Sequence, residues 1–249
     1  MWCGEGWIPD YHLRLKNCTV RMISQLCNKE RQKIRTNEEQ LSEKGAHKAV
    51  DLREYYNVPL YRLQWNEDDF DFRFLEEATP VPGSIPFNLL QGVGDSRTDM
   101  ALILSGNQLN NGVCGIKIND NAYAVSILHA RIAGAVLRRT NKVERKSAGK
   151  YVLYYEDGSD AVHNIIDGRD IAWGDFDIEE GILPDADIAY AGYNKFGQKY
   201  VLYSYMWKNP YPEKRIIKMD ILPDENNLDD GVMVFGITLL KKEERYEGE

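Results

Sequence analysis

The sequence lacks most of the signatures that announce an enzyme or a membrane protein. No apolar run approaches the ~20 residues that a helical membrane span needs. The N-terminal stretch MWCGEGWIPDYHLRLKN is broken by glycine, proline and charge, and has none of the apolar length of a secretory leader. The expected location is cytoplasmic if the chain is complete, and that of the parent protein if it is a piece of a longer one. Histidine and cysteine are scarce, four of each. His12, His47, His129 and His163 are far apart and sit in unlike contexts, and there is no CxxC pair to suggest a metal knuckle or a redox site. GxSxG, HExxH and the phosphate loop are all missing. Gly92-Val-Gly94 and the Gly112–Gly115 piece lack both the full GxGxxG spacing and a strand–helix setting, so they read as turns. No catalytic residue is assigned from the sequence.

Positive charge is also in deficit. The net charge is -8 and the isoelectric point about 5.2, which argues against a nucleic-acid or anionic-membrane partner, because a phosphate surface wants a basic face. Cys3, Cys18 and Cys27 crowd the first 27 residues and cannot staple the main body to itself; Cys114 stands alone. The four read as free thiols in a reducing compartment, the alternative being a Cys3–Cys18 or Cys3–Cys27 disulfide.

What the sequence has is β pattern and aromatics, with 15 tyrosines and 5 tryptophans in 249 residues. In Lys150–Trp173, Tyr151, Leu153 and Tyr155 alternate with Val152 and Tyr154. Asp157-Gly158 then supplies a tight turn, and Ala161–Ile166 returns as the second strand of a hairpin. Asp167-Gly168 ends that strand and delivers Arg169, Asp170 and Trp173 to a loop. Further strands are expected over Ile85–Leu90, Met100–Ser105, Gly115–Ile118, Ala122–Ala130, Tyr200–Met206, Ile216–Ile221 and Val232–Leu240, with Gly- and Asn-rich turn signals between them. Roughly eight or nine strands with no amphipathic helix between them imply a sandwich rather than a βαβ sheet. The expected fold is therefore all-β, a jelly-roll-like sandwich of two antiparallel sheets over residues 50–242, with a short charged tail at 243–249.

Residues 1–49 form an arm whose middle reads as helical: Val20, Cys27, Ile34 and Leu41 recur every seven residues, and Thr36–Glu39 matches a capping box. This narrow stripe could lie on the body, act as a linker, or drive self-association through residues 20–41. Between it and the strands, Glu67, Asp68, Asp69 and Asp71 make an acidic knot beside Trp65, Phe70 and Phe72. Carboxylates at this spacing could hold a structural Ca²⁺, although no EF-hand spacing is present; the alternative is a solvated turn before a strand. No other cofactor is expected.

A mixed set of groups is placed on loops: Arg169, Asp170, Trp173, Tyr193, Asn194, Trp207 and Asn209, with His129 at the end of its strand. Sugar recognition uses this mixture, a flat aromatic under the apolar face of a pyranose and Asn, Asp or Arg on its hydroxyls. The same mixture also serves to cap the edge of a sandwich.

The order of motifs resembles the galactose-binding-domain-like β-sandwich modules appended to bacterial glycoside hydrolases. The likeness is carried by Val50-Asp51-Leu52 with Tyr55-Tyr56-Asn57, by Gly83-Ser84-Ile85-Pro86-Phe87, by the strand Ala122–His129, by Tyr151–Gly158, by Ile165–Trp173, and by Leu202–Ile216 with Trp207, Asn209-Pro210 and Pro212-Glu213-Lys214. Ala133 stands where the pattern Leu-His-Ala-x-x-Trp has its tryptophan, and residues 1–49 have no counterpart in the module. The resemblance implies a non-catalytic accessory module of a carbohydrate-active protein, which binds carbohydrate or packs on a glycosidase catalytic domain. Two other classes stay open: a structural or oligomerisation sandwich without a sugar ligand, and a small glycoside hydrolase or lyase using two loop carboxylates.

Overall fold

The computed structural model describes residues 47–59, 63–65, 68–72, 75, 78–89, 100–104, 112–133, 146–172, 183–193, 197, 199–226 and 230–241. They form strands β1 (His47–Ala49), β2 (Val58–Pro59), β3 (Leu63–Trp65), β4 (Asp68–Phe70), β5 (Met100–Leu104), β6 (Val113–Asp120), β7 (Ala124–Ala133), β8 (Ser147–Tyr155), β9 (Asp160–Ile166), β10 (Ala186–Tyr193), β11 (Lys199–Lys208), β12 (Ile216–Pro223) and β13 (Asp230–Leu240). The larger sheet runs β10-β11-β7-β13-β5-β2, with β1 also paired to β13; the smaller runs β6-β12-β8-β9; β3 and β4 form a separate ribbon. The strands of both sheets pair antiparallel, as expected for an all-β chain.

The expected hairpin is β8–β9, in register with Val152 opposite Val162 and Tyr154 opposite Asp160. Its turn closes because Gly158 adopts φ 83°, a conformation that costs a residue with a Cβ. The Gly158 N–H donates to the Tyr155 carbonyl (3.0 Å), and Asp157 accepts the Ser159 N–H (3.0 Å). Alternation then sends Tyr151, Leu153 and Tyr155 into a core that they share with Ile127 of β7, Tyr203, Tyr205 and Trp207 of β11, and Met219 and Ile221 of β12. The two sheets are thus joined through one apolar cluster.

Seven of the ten residues of β11 are buried, on both faces. The reason is a second cluster on the far side of the larger sheet, where Leu128, Ala130, Tyr200, Leu202, Met233 and Phe235 meet Val58, Phe72 and Leu75. The Phe72 ring lies 4.7 Å from that of Tyr200 and 5.2 Å from that of Phe235. Phe72 and Leu75 thus cover the outer face of the larger sheet, while Leu52, Tyr55, Tyr56 and Val81 pack on the cluster between the sheets. The acidic knot falls partly in β4; Asp71 is buried, and Glu67 lies outside the described residues.

Several expectations are corrected. Ser84–Leu89 is not a strand. Pro86 has no N–H to give a ladder, and its carbonyl instead accepts the Thr238 hydroxyl (2.7 Å). Phe87 lies on Gly236, at the register shift of β13 against β7; a Cβ at Gly236 would stand 3.2 Å from the Phe87 ring. β10 falls where no strand is expected, since ADIAYAGY is rich in residues of weak β preference. β7 continues to Ala133, so His129 lies inside a strand and not at its end. The arm given to residues 1–49 ends in a strand that belongs to the larger sheet, with His47 opposite Leu240; the 20–41 stripe lies outside the described residues. Cys114 is an exposed free thiol, and the other three cysteines lie outside the described residues. No helix among the described residues is long and apolar enough to cross a membrane.

Candidate functional site

The polar groups that matter lie between the two sheets. Strand alternation explains how they get there: residues two apart share a face, so His129 and Arg131 follow Val125 and Ile127 toward the facing sheet, while Leu128, Ala130 and Ile132 belong to the outer cluster. His163 of β9 and Tyr205 and Trp207 of β11 are drawn to the same place. The last component is the turn after β9. Gly168 takes φ 70°, the N–H groups of Arg169 and Asp170 donate to the Ile166 carbonyl (3.2 and 2.9 Å), and Gly168 N–H donates to Ile171 O (2.8 Å). The chain doubles back and drives Asp167 and Asp170 inward.

Asp170 is the hub. Its side chain has no solvent exposure, and its carboxylate accepts His163 Nε2–H (3.0 Å), the Ile166 N–H (2.9 Å), and Arg169 through Nε (2.7 Å) and Nη2 (2.8 Å). Burial alone would raise its pKa. The bonds from His163, Arg169 and the Ile166 N–H outweigh burial and hold it at about 2, so the group is ionised at neutral pH. Arg169 also reaches Asp185 (3.4 Å) and is the exposed rim of the cluster.

His129 is wholly buried, and its tautomer follows from its partners. The Asp170 carbonyl can only accept, so Nε2 carries the proton and donates to it (3.0 Å), and Nδ1 accepts the Tyr151 hydroxyl (2.7 Å). Burial pulls the His129 pKa down to about 4, against a smaller upward pull from Asp170. Burial and the Asp170 charge push the Tyr151 phenol well above its ordinary value.

His163 donates to Asp170 through Nε2, and its Nδ1 lies 3.3 Å from the Tyr205 hydroxyl. Its ring stacks on Tyr205 at 4.7 Å and leans on Trp207 at 5.6 Å. Asp170, His163 and Tyr205 thus stand in the order of an acid–base relay. Its terminal phenol, however, is pushed up by burial and by Asp170, and belongs to a residue only 8% exposed. A phenol held this way stays protonated at neutral pH. What the row does chemically is to fasten β9, β11 and the turn to one another.

Beside it lies a second charged pair. Arg131 and Asp167 form an ion pair with side-chain exposures of 7% and 2%, and the Arg131 N–H donates to Ala172 O (2.9 Å). The Tyr203 hydroxyl is raised by burial and by the Asp167 charge. At the end of β11, Asn209 accepts the Tyr155 hydroxyl (2.5 Å) and the Tyr211 N–H (3.0 Å), and donates to the carbonyls of Ala122 (2.8 Å) and Tyr211 (3.2 Å).

The expected contact face is therefore redistributed. His129, Asp170, Trp207 and Asn209 are buried. Arg169 is partly exposed, and Tyr193 is a half-buried residue at the end of β10 and not in a loop. Trp173 and Asn194 lie outside the described residues. Tyr151, His163, Tyr205, Arg131 and Asp167 were not among the candidates; alternation extended through Ala133 would have placed Arg131 on the His129 face. Among the described residues, no group of three or more His, Cys, Asp or Glu side chains converges as a metal site.

The network makes the fold acid-sensitive. Below about pH 6.5 the unfolded chain protonates His129, whereas the folded chain resists until about pH 4. Stability is therefore full above this window and falls as the pH drops through it, by about 1.4 kcal/mol per unit and about 3 kcal/mol in all. Urea unfolding midpoints measured from about pH 7 to about pH 4.5 should show the decline. In His129→Gln, which keeps a donor and an acceptor but takes no proton, the slope should flatten. Comparison with protein-family models, with curated proteins and with solved structures finds no match for the chain.

Proposed function

We propose that the chain is a non-catalytic accessory module of a carbohydrate-active protein, a jelly-roll-like sandwich of the galactose-binding-domain-like kind that contacts carbohydrate or packs on a glycosidase domain. One observation supports this reading. The segments that carry the resemblance meet at shared joints: the strand ending in Leu128-His129, the Tyr151 strand and the Asp167–Ile171 turn converge on the Asp170 network, and Trp207 packs against it through His163. The motif order thus corresponds to a set of spatial contacts.

The burial of Trp207 and the saturation of Asn209 favour a second reading, a structural sandwich that serves a neighbouring domain and stacks no sugar. Titration of the protein with plant and host polysaccharides, with and without Ca²⁺, separates the two. The module reading expects saturable binding without release of sugar, weakened by Arg169→Ala in a folded protein. Absence of binding across the panel favours the structural reading. Turnover abolished by a single carboxylate substitution, such as Asp185→Asn, would replace both with a glycosidase or lyase.

A further inference from the structure

Among the described residues, three of the sheet edges are capped or cut short. The outer edge of β6 is clipped by Tyr55, whose hydroxyl donates to Gly115 O (3.0 Å) and accepts the Lys117 N–H (3.1 Å). The outer edge of β10 receives the Val81 N–H on Ala189 O (2.8 Å). The opposite end of the larger sheet is a two-residue strand ending in Pro59, a residue that cannot extend a ladder through its nitrogen. β9 is the far edge of the smaller sheet. Its C-terminal part is capped: the Ile166 N–H goes to the Asp170 carboxylate and Asn164 O accepts Arg169 Nη2 (3.4 Å). Alternation puts the backbone groups of Asp160 and Val162 on that same edge. Among the described residues, nothing bonds to the N–H and C=O of Val162 or to the Asn164 N–H on that side. Val162 is also the most exposed large apolar side chain among the described residues, at 52%.

We infer that this edge pairs with the same edge of a second copy of the chain, antiparallel and centred on Val162. The sequence of the edge is self-complementary about that residue. A two-fold axis there sets Val162 against Val162 of the second copy, and Asp160, an acceptor, against Asn164, whose amide donates. The exposed side chains of Asp160, Val162 and Asn164 all take part, while Ala161 and Ile165 stay in the core. The register ends where it must: one step further, Ile166 is held by Asp170 and the other strand enters the Gly158 turn. The product is one continuous eight-stranded sheet across two copies. It does not depend on a sugar ligand or on residues 20–41.

Sedimentation of the full chain over a concentration series tests this. A reversible monomer–dimer equilibrium is expected. Val162→Lys, which sets like charges opposite each other at the axis, should raise the dissociation constant at least about tenfold with an unchanged thermal midpoint. Directly opposed strand residues lie at a Cα separation that a disulfide can span, so Val162→Cys should give a covalent dimer on mild oxidation, above the level of the parent protein. A monomer at every concentration would overturn the inference. So would a dimer that Val162→Lys leaves intact, including one lost only when residues 1–46 are removed. If Val162→Lys does not fold, failure of Val162→Cys to cross-link overturns it.

Discussion

Asp170→Ala is expected to destabilise the fold by about 3–5 kcal/mol, among the largest losses available to a single substitution here. The carboxylate satisfies three partners at once, and its removal takes the acceptor of His163 Nε2–H and the nearest acceptor of Arg169, and leaves the Ile166 N–H in the wall of a cavity. Asp170→Asn keeps the shape but replaces an acceptor that serves four N–H donors with a neutral amide that brings two donors of its own. Its cost should also exceed about 2 kcal/mol. Chemical denaturation of the two variants and the parent at neutral pH gives the comparison. A loss below about 1 kcal/mol in both would show that the hub is solvated and contributes little.

The second large effect concerns Arg131 and Asp167. Arg131→Met alone should cost about 3–5 kcal/mol, because it leaves a buried carboxylate without its cation. The double substitution Arg131→Met with Asp167→Leu should recover most of that loss, since desolvating two ions offsets much of their attraction. A double-mutant cycle measured by urea unfolding isolates the pair. Two additive single losses would mean that the two side chains act separately, against the geometry of the pair.

Much of this fold was legible in the sequence. Alternation with an Asp-Gly turn located β8 and β9 from the residues alone, and the apolar run at Met100 gave β5. β10 was hidden by its alanines and glycine, which bury well in a sheet but carry little β preference of their own. Pro86 and Phe87 read as strand because they are apolar; they are apolar because they cover β13 at Gly236. In the sequence the candidate residues read as loop groups with free polar ends. Asn209 and Asp170 do stand at turns, but their polar ends are turned inward: Asn209 is used up by Tyr155 and Ala122, 54 and 87 positions away, and by its own turn, and Asp170 by His163, Ile166 and Arg169, at most 7 positions away. Nothing local in a sequence distinguishes an asparagine that faces solvent from one that holds Tyr155 and Ala122. The His129–Asp170 contact spans 41 positions, and only the folded sheet pair brings it about.

The position of β13 bears on how the chain folds during synthesis. This last strand of the described chain lies inside the larger sheet, between β7 and β5, and also receives β1. The sheet cannot close until Leu240 has left the ribosome, so the earlier strands wait with a long, apolar edge of β7 uncovered. Pairings between segments this distant in sequence are slow to form, and an uncovered edge of that kind is a site for misassociation. A chain that ends before residue 230 lacks β13 and leaves that edge of β7 unpaired, so β13 is the closing step for the larger sheet.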